Sequence, residues 1–211
     1  MQTKQRIPVH ARSVLAIAIA LTIAITITST PTPSFACVGR KLVLGSLETD
    51  RPAMVTRILS ILINERTGTT VEVKFFSDRV KLISAVKKGK VDLYVDYVDT
   101  ALERLEINDP PMNRQVRFEA VKRRFEEELN LIWLKPMGYS GIDNMGNHLG
   151  PASTVVHKDT LKTFPALPRL LEKIGSRVVL DDAQLDSLVS RTRTEKAAKV
   201  ARQYLKEVKL I

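Results

Sequence analysis

The segment "GKVDLYVDYVDTAL", residues 89–102, threads carboxylates and tyrosines through an apolar run. Asp92, Asp96 and Asp99 alternate with Val91, Leu93, Val95 and Val98, and Thr100 then opens a helical pattern. A strand that ends this way is either a solvated edge or a device for delivering polar groups to a pocket. Other strand-like runs end similarly. "KLVLGS" leads into Ser46 and Glu48, "TVEVKFF" into Ser77 and Asp78, and "LIWLKPMGYSG" carries Tyr139. In an open α/β sheet such strand ends share the edge at which ligands bind. The candidate ligand-binding residues are therefore Ser46, Asp78, Tyr97, Asp99, Thr100 and Tyr139. Two of them have plainer alternatives. Tyr97 also fits a half-buried strand tyrosine with no ligand, and Asp99 fits an N-cap for the helix near Thr100. Asp92 and Asp96 are expected on the solvent side or at a helix contact, and Trp133 in the core.

Catalytic chemistry finds little support. The sequence has no metal-ligand spacing, nucleophile elbow, phosphate-binding Walker loop or paired zinc-type cysteines. Past the N-terminal leader the only histidines are His148, in a turn-rich stretch, and His157, before a helix. No enzyme, cofactor or metal is expected.

The elements that must position these residues alternate. A strand at 41–46 precedes a helix from Pro52 to a stop at Gly68, carrying Met54, Val55, Ile58, Leu59, Leu62 and Ile63 at helical spacing. A second strand (70–76) precedes an amphipathic helix with Val80, Ile83 and Val86 inward and lysines at its C-terminal end. The third strand is 91–98. Strand and helix in this alternation predict parallel βαβ units. A charged helix from Arg114 to Asn130 presents Val116, Ala120, Val121 and Phe125 on one face, and a fourth strand follows at 131–141. "IDNMGNHLGPAS" has turn chemistry, "TVV" (154–156) is a candidate fifth strand, and helices fill 157–211.

The N-terminus has a different character. Lys4, Arg6 and Arg12 precede the apolar "SVLAIAIALTIAITIT", and "STPTPSFA" follows. A basic start, a short apolar stretch and a small-residue exit make a secretory signal over residues 1–36. The apolar stretch is short for a membrane span of about 20 residues. Cys37, the sole cysteine, stands at the cut, where it suits a lipid attachment; ordinary signal cleavage after "SFA" also fits. Export to the periplasm or cell surface follows, lipid-anchored if Cys37 is modified. With one cysteine, no intramolecular disulfide forms and the core must supply the stability. The formal net charge is +10, but export argues against a nucleic-acid partner and leaves a solvated basic surface or anionic lipid headgroups.

Four stretches carry a family resemblance. "LVLGSLETDRPAMVTRILSILINERTG", "AVKKGKVDLYVDYVDTAL", "IWLKPMGYSG" and the run from "VVHKDTLKTFPAL" to "VARQYLKEVKLI" resemble the substrate-binding proteins of ABC importers for glycine betaine, choline and related osmoprotectants. The second is the most specific, being similar to the family's "ALxxGxIDxYxEYTGTAL". The resemblance implies an α/β, type II periplasmic-binding-protein-like fold with a mostly parallel sheet flanked by helices. It also implies a quaternary-ammonium ligand and the membrane subunit of an ABC importer as partners. Family members have two lobes, and here only residues 142–151 stand where the second would be inserted. The expectation is one lobe over 37–211, with weak or absent ligand binding by the monomer and a groove open to a partner such as a second copy of the chain. The first loop, "SLETDRP", departs from the family's "SKxFTEQ" and places Arg51 where an acid is usual. Asp99 replaces a glycine, and of the hinge "NNTY" only Tyr139 is recognisable. An interaction module on the same scaffold, without a small ligand, is the alternative.

Overall fold

The computed structural model describes residues 41–107, 113–142, 146–177 and 180–211, with side chains at 175–177 left out. The expected signal over residues 1–36 and Cys37 lie outside the described residues. Strand β1 (Leu42–Leu47) is followed by helix α1 (Asp50–Thr67), β2 (Val71–Phe76), α2 (Arg79–Lys87), β3 (Leu93–Tyr97) and α3 (Val98–Arg104). Helix α4 (Arg114–Leu129) then leads to a hairpin of β4 (Leu131–Ile142) and β5 (His148–His157). Helices α5 (Lys158–Thr163), α6 (Leu167–Arg177), α7 (Asp182–Arg191) and α8 (Ala197–Glu207) close the chain.

The strands form one sheet in the order β2-β1-β3-β5-β4. β1 pairs parallel with β2 and β3, as the alternation predicts. β5 runs antiparallel to both β3 and β4, so the sheet is mixed. The cause is local. β4 turns straight back into β5, with pairing that reaches Ile142 opposite His148. Of the stretch read as a link at 142–151, Ile142 and residues 148–151 are therefore strand, because a partner strand supplies hydrogen bonds that a turn-like composition does not reveal. β4 is an edge strand, which tolerates Pro136, and its register slips at three places between Trp133 and Ile142.

Two helical layers cover the sheet. On one face α1, α6, α7 and α8 pack over Leu42, Leu44, Leu93, Tyr97 and Tyr139. On the other, α2, α3 and α4 pack over Tyr94, Trp133 and Val155. α1 stops at Gly68, whose left-handed backbone (φ 69°) closes the helix onto the Asn64 carbonyl. Period-two alternation divides β3: Leu93 and Tyr97 join the first core and Tyr94 the second, so Asp96 faces α2 and α3.

Two helix phases differ from the sequence reading. Val80 is 80% exposed, and Leu82 joins Ile83 and Val86 in the interior instead. Val116 is half exposed while Phe118 is buried, its ring edge-on to Trp133. In both helices an aliphatic residue in the first turn overhangs the core. The expected helix across 157–175 is also two, separated at Phe164–Ala166.

Candidate functional site

The carboxyl ends of β1, β2 and β3 each hand the chain to a helix, and these junctions surround a cleft of about 390 Å³. One wall is the start of α1, with Thr49, Asp50, Arg51 and Pro52. A second is Ser77 and Arg79 at the start of α2. Tyr97, the last residue of β3, lies within, and the hairpin closes the remaining side with Ile142 and Leu149. Strand geometry explains the convergence: parallel strands in neighbouring positions end on the same edge.

Tyr97 is held from several directions. Its ring meets Tyr139 edge-on, with centroids 6.4 Å apart. The Arg79 guanidinium lies over the ring, 5.7 Å from its centroid. Gly141 of β4 packs so closely that a Cβ there would stand 2.5 Å from the Tyr97 Cε1, which only glycine permits. Burial raises the phenol pKa of Tyr97 despite nearby Arg79 and Arg51, and burial drives that of Tyr139 further up. Both are neutral phenols in the fold.

Beneath the cleft Asp96, with no exposed surface, gathers two arginines. Arg79 donates to its Oδ1, Arg104 Nη1 donates to its Oδ2 at 2.8 Å, and the Tyr97 backbone N–H completes the set at 3.0 Å. Asp92, also buried, ties β1 to α5, accepting from the Val43 amide at 2.8 Å and the Thr160 hydroxyl at 3.0 Å. Both aspartates stand at helix contacts, and the solvent-side alternative is corrected. On the α1 side Arg51 is bound twice by α7, to Asp182 at 2.5 Å and Asp186 at 3.0 Å.

Of the six candidate ligand residues, the structure brings Tyr97 to the cleft and Tyr139 directly behind it. The other four stand outside its lining. Ser46 is buried within β1 and donates its hydroxyl to the Leu47 carbonyl at 2.9 Å. Asp78 caps α2, accepting from the Lys81 amide at 2.8 Å, which lowers its carboxyl pKa. Asp99 is not the N-cap of α3, a position Tyr97 holds; it lies in the first turn and pairs with Arg117 of α4. Its carboxylate helps line a separate cleft with Arg114 and His148. Thr100 borders a groove between α2 and α3, its hydroxyl without a hydrogen-bond partner among the described residues. Asp99 and Thr100 lie in the first turn of α3, where successive side chains are rotated by about 100°, so residues adjacent in sequence serve different clefts. Arg79 was missed by the sequence reading; the one available signal was its place immediately after a capping aspartate at a strand end.

The comparisons with known proteins agree with this architecture. A sequence profile for the substrate-binding domain of ABC-type glycine betaine transport systems matches residues 40–146. That span holds every cleft residue named above except Leu149. The ergothioneine transport permease/ergothioneine binding protein EgtU of Helicobacter pylori (strain G27) is 28% identical over 103 residues, which are 48% of this chain and 18% of that protein. The chain thus spans less than a fifth of the curated relative it matches. Among solved structures, apo YehZ from Escherichia coli superposes with a TM-score of 0.71 at 15% identity, covering 82% of this chain and 100% of that one. A glycine betaine/carnitine/choline ABC transporter structure gives 0.69 at 12% identity, covering 80% of this chain and 99% of the other. At such identities the superpositions establish the fold, while the profile spans half the chain. The chain belongs to the family of substrate-binding domains of ABC-type glycine betaine transport systems.

Proposed function

We propose that this protein is the exported substrate-binding component of an ABC importer for quaternary-ammonium osmoprotectants, reduced to one lobe over residues 37–211. Cleavage before Cys37 and attachment of lipid there would hold it at the membrane beside the importer's membrane subunit. The observation that carries the reading is Tyr97, at the strand end within the 390 Å³ cleft, in a chain of this family. A quaternary ammonium has no hydrogen-bond donor, so aromatic faces and carboxylates hold it. The carboxylate of a betaine suits hydrogen-bond donors at a helix start, and Ser77, Arg79 and the first turn of α1 line the cleft.

Affinity is expected to be weak. Small-molecule pockets enclose some 70–90% of their ligand, and this cleft is walled from one lobe only. Each tenfold of affinity is about 1.4 kcal/mol, so a missing opposite wall removes several such steps. A second copy of the chain covering the cleft would restore them. Calorimetric titration with glycine betaine, choline and proline betaine, alongside sedimentation, tests the reading. Saturable betaine binding in the millimolar range by the monomer, tightening on self-association, is the expected result. Binding that is insensitive to Tyr97→Ala, or no binding to any of the three ligands, contradicts it.

A further inference from the structure

We propose that β2, an edge of the sheet, is a dimerisation surface: it pairs antiparallel with β2 of a second copy of this chain, about a two-fold axis at Val73. β2 stands at one end of the strand order and pairs only with β1 among the described residues. Its bonds to β1 fix the direction of its free backbone groups. The Leu42 amide donates to the Thr70 carbonyl at 3.0 Å, and the Glu48 amide to the Phe76 carbonyl at 3.1 Å. Backbone groups alternate sides along a strand, so the even-numbered residues face β1 while Val71, Val73 and Phe75 turn their N–H and C=O outward. Such a row is a template for another strand.

The opposite edge of the sheet is guarded and this one is not. β4 carries Pro136, which has no N–H, and three register slips. β2 has neither, and matches β1 residue for residue over its six positions. Its one lysine, Lys74, is answered by Glu72 at 3.8 Å. Phe75 is 43% exposed, on the same face as Val71 and Val73, which pack against the first core.

The order of residues selects the occupant. With the axis at Val73, Glu72 stands opposite the second copy's Lys74, and Lys74 opposite its Glu72. Val71 meets Phe75, an aromatic–β-branched pair that covers the exposed ring. The outward groups of Val71, Val73 and Phe75 then exchange backbone bonds with their counterparts. The charged pairs fall between them, at the positions where facing side chains stand closest. Moving the axis by one residue either way sets Glu72 against Glu72 or Lys74 against Lys74, like charges directly opposite, which is unfavourable. The antiparallel contact points the two carboxyl edges in opposite directions. It is therefore separate from any cover over the cleft and does not rest on the betaine reading.

Sedimentation of the full protein, as wild type, Glu72→Lys, Lys74→Glu and the double variant, tests the pairing, with a thermal melt of each confirming folding. The wild type is expected to show a concentration-dependent monomer–dimer equilibrium. Each single variant turns both cross-strand pairs into like charges and is expected to weaken dimerisation about tenfold. The double variant, with the charges exchanged, is expected to restore it. A wild type that stays monomeric up to about 1 mM, a dimer unmoved by either single variant, or a double variant as weak as the singles overturns the proposal. A dimer that survives both charge reversals and is lost in Tyr97→Ala belongs to the cleft, and overturns it too. Should a variant fail to fold, amide exchange in the wild type decides alone. Protection of the Val71, Val73 and Phe75 amides is expected to rise with protein concentration, while that of Glu72 and Lys74, turned toward β1, stays constant. Exchange at Val71, Val73 and Phe75 that ignores concentration overturns the proposal.

Discussion

The two halves of the sheet contribute to the cleft in different ways. The parallel half, β2-β1-β3, ends its strands on one edge and turns each into a helix, so it delivers the polar groups Asp50, Arg51, Ser77 and Arg79. The antiparallel hairpin of β4 and β5 delivers shape: Tyr139 and Gly141 confine the Tyr97 ring, and Ile142 and Leu149 form an apolar wall. Charge comes from the junctions and fit from the hairpin. The parallel half sets the edge at which the cleft opens, and the hairpin closes its remaining side.

Deep substitutions on each side should separate stability from binding. Asp96→Ala strands two partly buried arginines, so a loss of about 3–5 kcal/mol is expected in denaturant unfolding, with betaine binding lost as well. Trp133→Ala, in the hairpin, empties the ring packed against Phe118 and Phe125 of α4. Its cost should be similar, about 3–5 kcal/mol, yet the folded fraction should still bind betaine. Equal loss of binding in both would erase the distinction between the halves.

Gly141→Ala probes the hairpin's contribution directly. The added Cβ collides with the Tyr97 ring, and overpacking of this kind costs about 1–3 kcal/mol. A changed near-ultraviolet circular dichroism signal and weakened betaine binding are expected. An unaltered spectrum would mean that the ring is not confined by β4.

Alkali should loosen the same contact. Burial raises the phenol pKa values of Tyr97 and Tyr139, so their folded values lie above their unfolded ones. The stabilisation is complete below the unfolded value, about 10, and is lost as pH climbs toward the folded values. Stability should fall above that pH, and Tyr139→Phe should lessen the fall.

The smallest effect belongs to the cap of α2. Hydrogen bonding to the Lys81 amide lowers the Asp78 pKa, so its contribution is full above the ordinary carboxylate range and fades as pH falls through the lowered value. Asp78→Ala should speed amide exchange in the first turn of α2 and leave global stability nearly unchanged. A large global loss would instead place Asp78 among the groups that hold the sheet together.

The parallel half was legible in the sequence because its signal is local. Apolar residues recur at helical spacing from Met54 to Ile63, and turn residues punctuate each strand. The strand at 131–141 was legible too, and β4 spans Leu131–Ile142; its antiparallel return through β5 was not, since that depends on pairing between segments and begins in a turn-like composition at His148. Site residues divide along the same line. Tyr97 was found because it ends a strand, whereas Arg79 and Asp96 are partners 17 residues apart whose meeting only the packing of α2 on β3 brings about. Val80 shows the reverse failure, an apolar residue in phase with a core that ends before reaching it.

The central claim is that the ligand lies at the carboxyl edge of the parallel half. A backbone ¹H–¹⁵N correlation map of the full protein, titrated with glycine betaine, tests it most directly. Saturable shifts gathered at Thr49–Arg51, Ser77–Arg79 and Tyr97, absent in Tyr97→Ala, are the predicted result. Shifts centred instead on the groove between α2 and α3, or on the Asp99–Arg117 cleft, would contradict it.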